Sequence, residues 1–184
     1  MRTPDQVLGP YYPTGTSPVT GGDLTCTDNH AGRALGEVIE VVGQVCNLQR
    51  EPVSEVRILV WQANCFGRYA HPNDLASEAP LDPNFAGFGE VRSSADGMYR
   101  IRTVKPGSYP ALEGWTRAPH IHFEVHGQFE RLVTQMYFPG EPLNQEDRFL
   151  LSSRKPDLLI AKPLTSDLPS SSRAFRFDIV LARG

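Results

Sequence analysis

Cysteine is scarce in this 184-residue chain: Cys26, Cys46 and Cys65 are the whole set. An odd and sparse trio argues against a disulfide framework or a cysteine zinc cluster and reads as reduced thiols in a cytosolic protein. Cys65 takes the reading of a buried, inert thiol. No apolar run approaches the ~20 residues that span a bilayer, so no membrane segment is expected. The first residues, Met1-Arg2-Thr3-Pro4-Asp5-Gln6, lack the apolar core of a secretory leader, and a cytoplasmic location is expected. Basic excess is missing too. The net charge of −3 leaves no basic patch for nucleic acid. No internal repeat, low-complexity tract or linker stands out, and 40% hydrophobic residues suffice for one ordinary core. Residues 1–184 are therefore expected to form a single domain.

What the chain does have is turn chemistry. Sixteen Gly and sixteen Pro are spread evenly, which suits many short strands. Strands are predicted over 38–46, 56–61, 89–93, 98–103, 120–125, 132–138 and 175–181, rich in β-branched and aromatic residues. Residues 47–54, with Pro52, read as a hairpin turn. Ser94-Ala95-Asp96-Gly97 reads as a second one. Only 156–162 looks like a short helix. The stretches 67–88 and 106–119, rich in Tyr, Pro and Asn, are predicted as long loops of functional importance. The fold class this implies is all-β, a β-sandwich with long active-site loops and little helix.

The most informative local pattern is Pro119-His120-Ile121-His122-Phe123. In a strand, residues i and i+2 share a face, about 6.6 Å apart along the backbone. With metal–nitrogen bonds of about 2.0–2.1 Å, one ion can take both imidazoles. Taken alone, such a pair is more often two solvent-facing polar residues. A cupin-type site is set aside because Glu124 follows His122 by only two residues and the glycine spacing is absent. Each long loop carries a tyrosine beside a polar cluster, in Gly67-Arg68-Tyr69 and Ser108-Tyr109-Pro110. A phenol has a pKa near 10, so only a strongly polarising ion ionises it at neutral pH. Two phenolates and two imidazoles would take Fe(III) from +3 to +1, leaving charge and space for a dianionic catecholate. By spacing alone, Tyr69 and Tyr109 are ordinary loop aromatics.

Longer motifs change the balance. Trp61-Gln62-Ala63-Asn64-Cys65-Phe66-Gly67-Arg68-Tyr69 is followed by Leu81-Asp82-Pro83-Asn84-Phe85 and Asp96-Gly97-Met98-Tyr99. Then come Arg102-Thr103-Val104-Lys105-Pro106-Gly107-Ser108-Tyr109-Pro110, Ala118-Pro119-His120-Ile121-His122-Phe123 and Thr134-Gln135-Met136-Tyr137-Phe138. Phe175-Arg176-Phe177-Asp178-Ile179-Val180-Leu181 ends the series. In order and spacing, over nearly the whole chain, these runs resemble the intradiol ring-cleavage dioxygenases. Within that family they look most like the iron-bearing β chains of protocatechuate 3,4-dioxygenases.

The resemblance implies one non-haem Fe(III) per chain, held by Tyr69, Tyr109, His120 and His122. In the family the counterparts of Tyr109 and His122 are axial, and those of Tyr69 and His120 equatorial beside a hydroxide. It implies cleavage of a substituted catechol such as protocatechuate, with both atoms of O2 entering a cis,cis-muconate-type diacid. Tyr109 would leave the metal and take a substrate proton. Arg117, three residues before His120, would stabilise negative charge on the ring, although Ala118-Pro119 reverses the commoner order. Gln135 would hydrogen-bond Arg117 or the reacting oxygen. The family's N-terminal arm and its helical dimerisation segment are both expected to be missing. Gly9-Pro10-Tyr11 echoes the partner chain of the two-chain enzymes, so Tyr11 or Tyr12 would line the pocket, or simply pack there. Ala111 stands where the β chains usually carry Trp, which implies a wider pocket. The expected partners are a catechol and O2, with a homo-oligomer favoured and a second subunit type left open. His30, His71 and His126 receive no role. Competing readings are a transthyretin-like binding module without catalysis, a zinc-dependent hydrolase, for which two tyrosines go unexplained, and an iron-free partner subunit.

Overall fold

The computed structural model describes residues 1–27, 32–75, 77–164 and 173–183, and these are mostly strand and loop. His30 lies outside the described residues. In chain order the strands are β1 (Val19–Thr20), β2 (Val38–Cys46), β3 (Arg57–Trp61), β4 (Phe88–Arg92), β5 (Met98–Val104) and β6 (Tyr109–Leu112). They continue with β7 (Trp115–Arg117), β8 (His120–His126), β9 (Arg131–Tyr137), β10 (Lys162–Leu164), β11 (Arg173–Arg176) and β12 (Ile179–Val180). One sheet runs β1-β4-β3-β8-β9. The other runs β10-β11-β2-β12, with β5 on the opposite edge of β2, and β6 and β7 form a separate hairpin.

The two sheets meet over one apolar cluster. Ile39, Val41 and Val45 of β2 and Ile101 of β5 pack with Ile58 and Val60 of β3 and Ile121, Phe123 and Val125 of β8. The period of two then sends His120, His122 and Glu124 to the opposite face of β8. That face is not solvated: every residue from 120 to 125 is buried. A strand buried on both faces needs a cover on each. Here the second cover is the N-terminal segment, the β6–β7 hairpin, the Tyr69 loop and the region around α1 (Arg148–Ser152).

Register decides what meets on that outer face. Trp61 lies opposite His122 across β3 and β8, and Gln135 lies opposite His122 across β8 and β9. Tyr137 lies opposite His120. Paired residues share a face, so Trp61, His122 and Gln135 form one row, with His120 and Tyr137 beside it. A slip of one residue would turn the row into the core.

Several expectations are corrected. The 94–97 turn does close, with Ser94 N donating to Met98 O at 2.9 Å, but β4 pairs with β3 and β1 while β5 pairs with β2. It is a crossover between sheets, as is 47–54, because turn chemistry dictates a reversal of the chain and not the strand's partner. The run 175–181 is broken between β11 and β12, where the Asp178 carboxylate accepts from Gln44 N at 2.9 Å in place of a ladder bond. Residues 156–162 hold a 3-10 turn, Pro156–Leu159, and then enter β10; the α-helix lies earlier, at α1. The supposed loop 106–119 contains the β6–β7 hairpin. Among the described residues no helix is long and apolar enough to cross a membrane.

Candidate metal centre

The two tyrosine loops are set by Asn64. Its side-chain oxygen accepts from Phe66 N and Arg68 N, and its carbonyl accepts from Gly67 N and Gly107 N. Loops 64–69 and 105–109 thus share one hub. They lie so close that a Cβ on Gly67 would sit 2.1 Å from Ser108 O, and Gly67 also has φ +82°. Only glycine meets both demands. Gly67→Ala is expected to lower stability by about 2–4 kcal/mol and to splay Tyr69 from Tyr109. Thermal unfolding together with near-ultraviolet tyrosine dichroism checks this, and an unchanged melting temperature contradicts it. Past the turn, the buried Asp74 carboxylate accepts from Tyr69 N at 2.8 Å and fixes the start of that side chain.

The four side chains implied as metal donors do converge. His120 Nε2 and His122 Nε2 are 3.1 Å apart, and Tyr109 Oη is 3.4 Å from His120 Nε2. The Tyr69 and Tyr109 rings meet edge to face with centroids 5.5 Å apart. Two nitrogens bound to one ion at right angles, at the bond lengths usual for imidazole, lie about 3.0 Å apart. The histidine pair therefore already has the spacing of neighbouring ligands. His120 Nδ1 lies 2.6 Å from the Ala118 carbonyl, which only accepts, so Nδ1 carries the proton and Nε2 keeps its lone pair. His122 is held by the Trp61 indole, stacked at 4.7 Å and 11°.

The electrostatics fit a cation. Burial, and then the Arg117 charge, hold His120 well below the ordinary histidine range. Burial, then His120 and Arg117, do the same to His122. Both imidazoles are neutral donors. Burial likewise pushes the Tyr69 and Tyr109 phenols up. The Tyr69 hydroxyl lies within range of Tyr109 yet has no partner at hydrogen-bonding geometry. A buried, unpaired phenol oxygen near the His120 Nε2 lone pair and the His122 ring fits the donor chemistry of a metal ion. Among the described residues no three His, Cys, Asp or Glu side chains gather as a metal site. The oxygen donors nearest the histidine pair are the Tyr109 and Tyr69 phenols, a set that a zinc hydrolase does not call for.

Beside this set lies a network that the sequence did not announce. Arg117, opposite Tyr109 across the β6–β7 hairpin, is 3% exposed and pairs with the fully buried Asp147 at 2.8 Å. Its Nη2 donates to Gln135 Oε1 at 2.7 Å and to Tyr137 Oη at 3.0 Å, and the Phe149 ring lies 4.6 Å under the guanidinium. Gln135 Nε2 in turn donates to Val7 O at 2.9 Å. Asp147 and Tyr137 are the residues missed. Asp147 had a local signal, an acidic residue just before the apolar turn Phe149-Leu150-Leu151.

The N-terminal segment closes the site. A Cβ on Gly9 would come within 3.4 Å of His122 Cε1, so the backbone passes directly over that ring. Tyr11 stacks on Tyr69 at 4.4 Å and meets Tyr109 edge-on at 5.9 Å. Tyr12 does not reach the donors. It meets Trp61 edge-on at 5.1 Å and its hydroxyl donates to Glu124, so the indole stands between it and His122. His71, given no role from sequence, pins this segment through Nε2 at 3.0 Å from Tyr12 O. Ala111 lines a cavity of about 560 Å³ together with Tyr109 and Tyr11. His126 lies 2.9 Å from the Glu124 carboxylate at the end of β8, away from the donor set.

A sequence-family model described as Dioxygenase matches residues 7–183. The chain is 42% identical over 167 residues to the protocatechuate 3,4-dioxygenase beta chain of Burkholderia cepacia, covering 86% of this chain and 70% of that one. It is 30% identical over 189 residues to the alpha chain from the same organism, covering 97% and 91%. The solved dioxygenase domain of a dioxygenase and carbohydrate-binding fusion from Streptomyces sp. SirexAA-E superposes with a TM-score of 0.76 at 29% identity over the whole of both chains. On the strength of a family match over almost its full length and of these relatives, the chain belongs to the intradiol ring-cleavage dioxygenases.

Proposed function

We propose that the chain holds one non-haem Fe(III) through Tyr69, Tyr109, His120 and His122 and cleaves a substituted catechol between its two hydroxylated carbons. O2 is the co-substrate and a cis,cis-muconate-type diacid the product. Protocatechuate, the substrate named for two relatives, belongs to this class. The observation that carries the reading is the 3.1 Å spacing of two neutral imidazoles beside the unpaired, buried Tyr69 hydroxyl. The chemistry an Fe(III) ion supplies there is Lewis acidity, which ionises the phenols and activates a chelated catecholate toward O2.

The chain's own residues do the rest. Burial raises the Tyr109 pKa, so its phenolate oxygen would be a stronger base here than a free phenolate and would take a catechol proton. Arg117, fixed by Asp147, Gln135 and Tyr137, sets a positive charge beside the reacting ring, where negative charge develops. Trp61, Tyr137 and the N-terminal segment keep water from the donors. Gln135 positions Arg117.

Oxygen uptake by the iron-loaded protein with a catechol, run in ¹⁸O₂, tests this. Both labelled atoms are expected in a diacid; a ring opened outside the diol, giving an aldehyde, contradicts the reading. Ala111→Trp is expected to shift the kcat/KM ratio for unsubstituted over bulky catechols upward by about tenfold or more, because an indole fills space beside Tyr109. An unchanged ratio contradicts a substituent site at Ala111. We also propose that the chain forms one domain and assembles as a homo-oligomer, in which its own Val7, Gly9 and Tyr11 cover the donors; a second subunit type stays open. Light scattering on the purified chain checks this, and a monomer contradicts it.

A further inference from the structure

The cavity of about 560 Å³ beside Tyr109 and Ala111 has a one-sided lining. Asp74 and Glu78 contribute carboxylates, and among the described residues none in the lining is Lys, Arg or His. The basic groups nearby face other partners, although among the described residues Arg68 has a carbonyl and not a carboxylate. Arg68 Nη1 donates to Ala79 O at 2.6 Å, and Arg117 is ion-paired with Asp147. His71 spends both ring nitrogens, accepting from Asn73 N and meeting Tyr12 O. Two of the lining groups that could donate are engaged within the protein, while the Ser77 hydroxyl can both donate and accept. Asn73 Nδ2 donates to Pro10 O at 2.9 Å, and the Tyr11 hydroxyl donates to Asp74. What the wall offers a ligand is therefore weighted toward acceptors: two carboxylates, the lone pairs of the Tyr11 oxygen, and the Ser77 hydroxyl, which can also donate.

We propose that this cavity receives the catechol's ring substituent and selects one that donates a hydrogen bond and carries no negative charge, such as a third hydroxyl, over a carboxylate. The proposal rests on the dioxygenase reading and narrows it. A ring carboxylate brought beside Asp74 and Glu78 meets two like charges, against the single nearby guanidinium of Arg68, which is turned to the Ala79 carbonyl. Rejecting the wrong substituent by repulsion is as effective for selectivity as attracting the right one. A ring hydroxyl placed there donates to the same groups.

Calorimetric titration of the iron-loaded protein under anaerobic conditions tests this, with 1,2,4-trihydroxybenzene and 3,4-dihydroxybenzoate as the probes. The triol is expected to bind about tenfold more tightly or better at low salt. In Glu78→Lys, a change at an exposed position outside the donor set, that ratio is expected to fall about threefold or more, with the change shrinking as salt is added. Equal or tighter binding of the benzoate by the wild type overturns the proposal, and so does a ratio that Glu78→Lys leaves unmoved. Oxygen uptake on the same samples separates the two readings. Selective binding without uptake defeats the catalytic assignment and leaves the selectivity standing. Uptake with the benzoate preferred in binding does the reverse.

Discussion

Asp147→Ala is expected to lower stability by about 3–5 kcal/mol, the largest loss from any single change outside the four donors. One buried carboxylate serves several groups. It pairs with Arg117 Nε at 2.8 Å, accepts from Ala118 N at 3.0 Å, and caps α1 by accepting from Phe149 N at 3.0 Å and Leu150 N at 3.1 Å. Removing it strands a guanidinium that is 3% exposed and orphans the buried amides of Ala118 and Leu150. The loss follows from the charge left behind more than from the pair's own attraction. Asp147→Leu combined with Arg117→Leu is therefore expected to regain much of the stability while activity stays lost. Urea unfolding of the two single variants and the double variant measures this coupling. A loss under 1 kcal/mol in Asp147→Ala contradicts the view that this residue holds Arg117 in place. Asp147→Asn keeps part of the helix cap and falls between.

Tyr69→Phe is expected to act in opposite directions on the metal-free and the iron-loaded protein. The ring stays stacked on Tyr11 at 4.4 Å, and only the oxygen goes. That oxygen is buried without a hydrogen-bond partner, so its removal is expected to leave the metal-free protein as stable or up to about 1–3 kcal/mol more stable. Iron affinity is expected to fall by about 100-fold or more, since a direct donor is lost and even supporting partners of metal ligands are worth 10–100-fold. Melting curves with and without iron give both signs in one experiment. If Tyr69→Phe destabilises the metal-free protein and binds iron as well as wild type, Tyr69 is a structural residue and the four-donor set is wrong.

These side chains were legible to different degrees. The shared face of His120 and His122 follows from strand period alone, because that period is local. That this face is buried does not follow, since it depends on hairpin β6–β7, α1 and residues 7–12 folding over it. The row Trp61, His122, Gln135 is a matter of register between strands far apart in sequence, and a pattern within one strand carries no register. The turns at 47–54 and 94–97 were found correctly as reversals and wrongly as hairpins for the same reason: a turn constrains its own four residues and not the sheet that the next strand joins. Spacing alone does not set Tyr69 and Tyr109 apart from loop aromatics; only the longer family motifs do. Their convergence rests on Gly67 backing onto Ser108, a contact between two loops that neither loop announces. Tyr11 does sit against the tyrosine pair, whereas Tyr12, offered on equal terms, turns to Trp61 and Glu124.

The central claim is the iron site, and the visible absorption spectrum tests it most directly. After iron reconstitution the protein is expected to show a red to purple tyrosinate-to-Fe(III) charge-transfer band. Anaerobic addition of a catechol is expected to shift that band as the substrate joins the metal. A protein that stays colourless after reconstitution contradicts the donor set of Tyr69, Tyr109, His120 and His122.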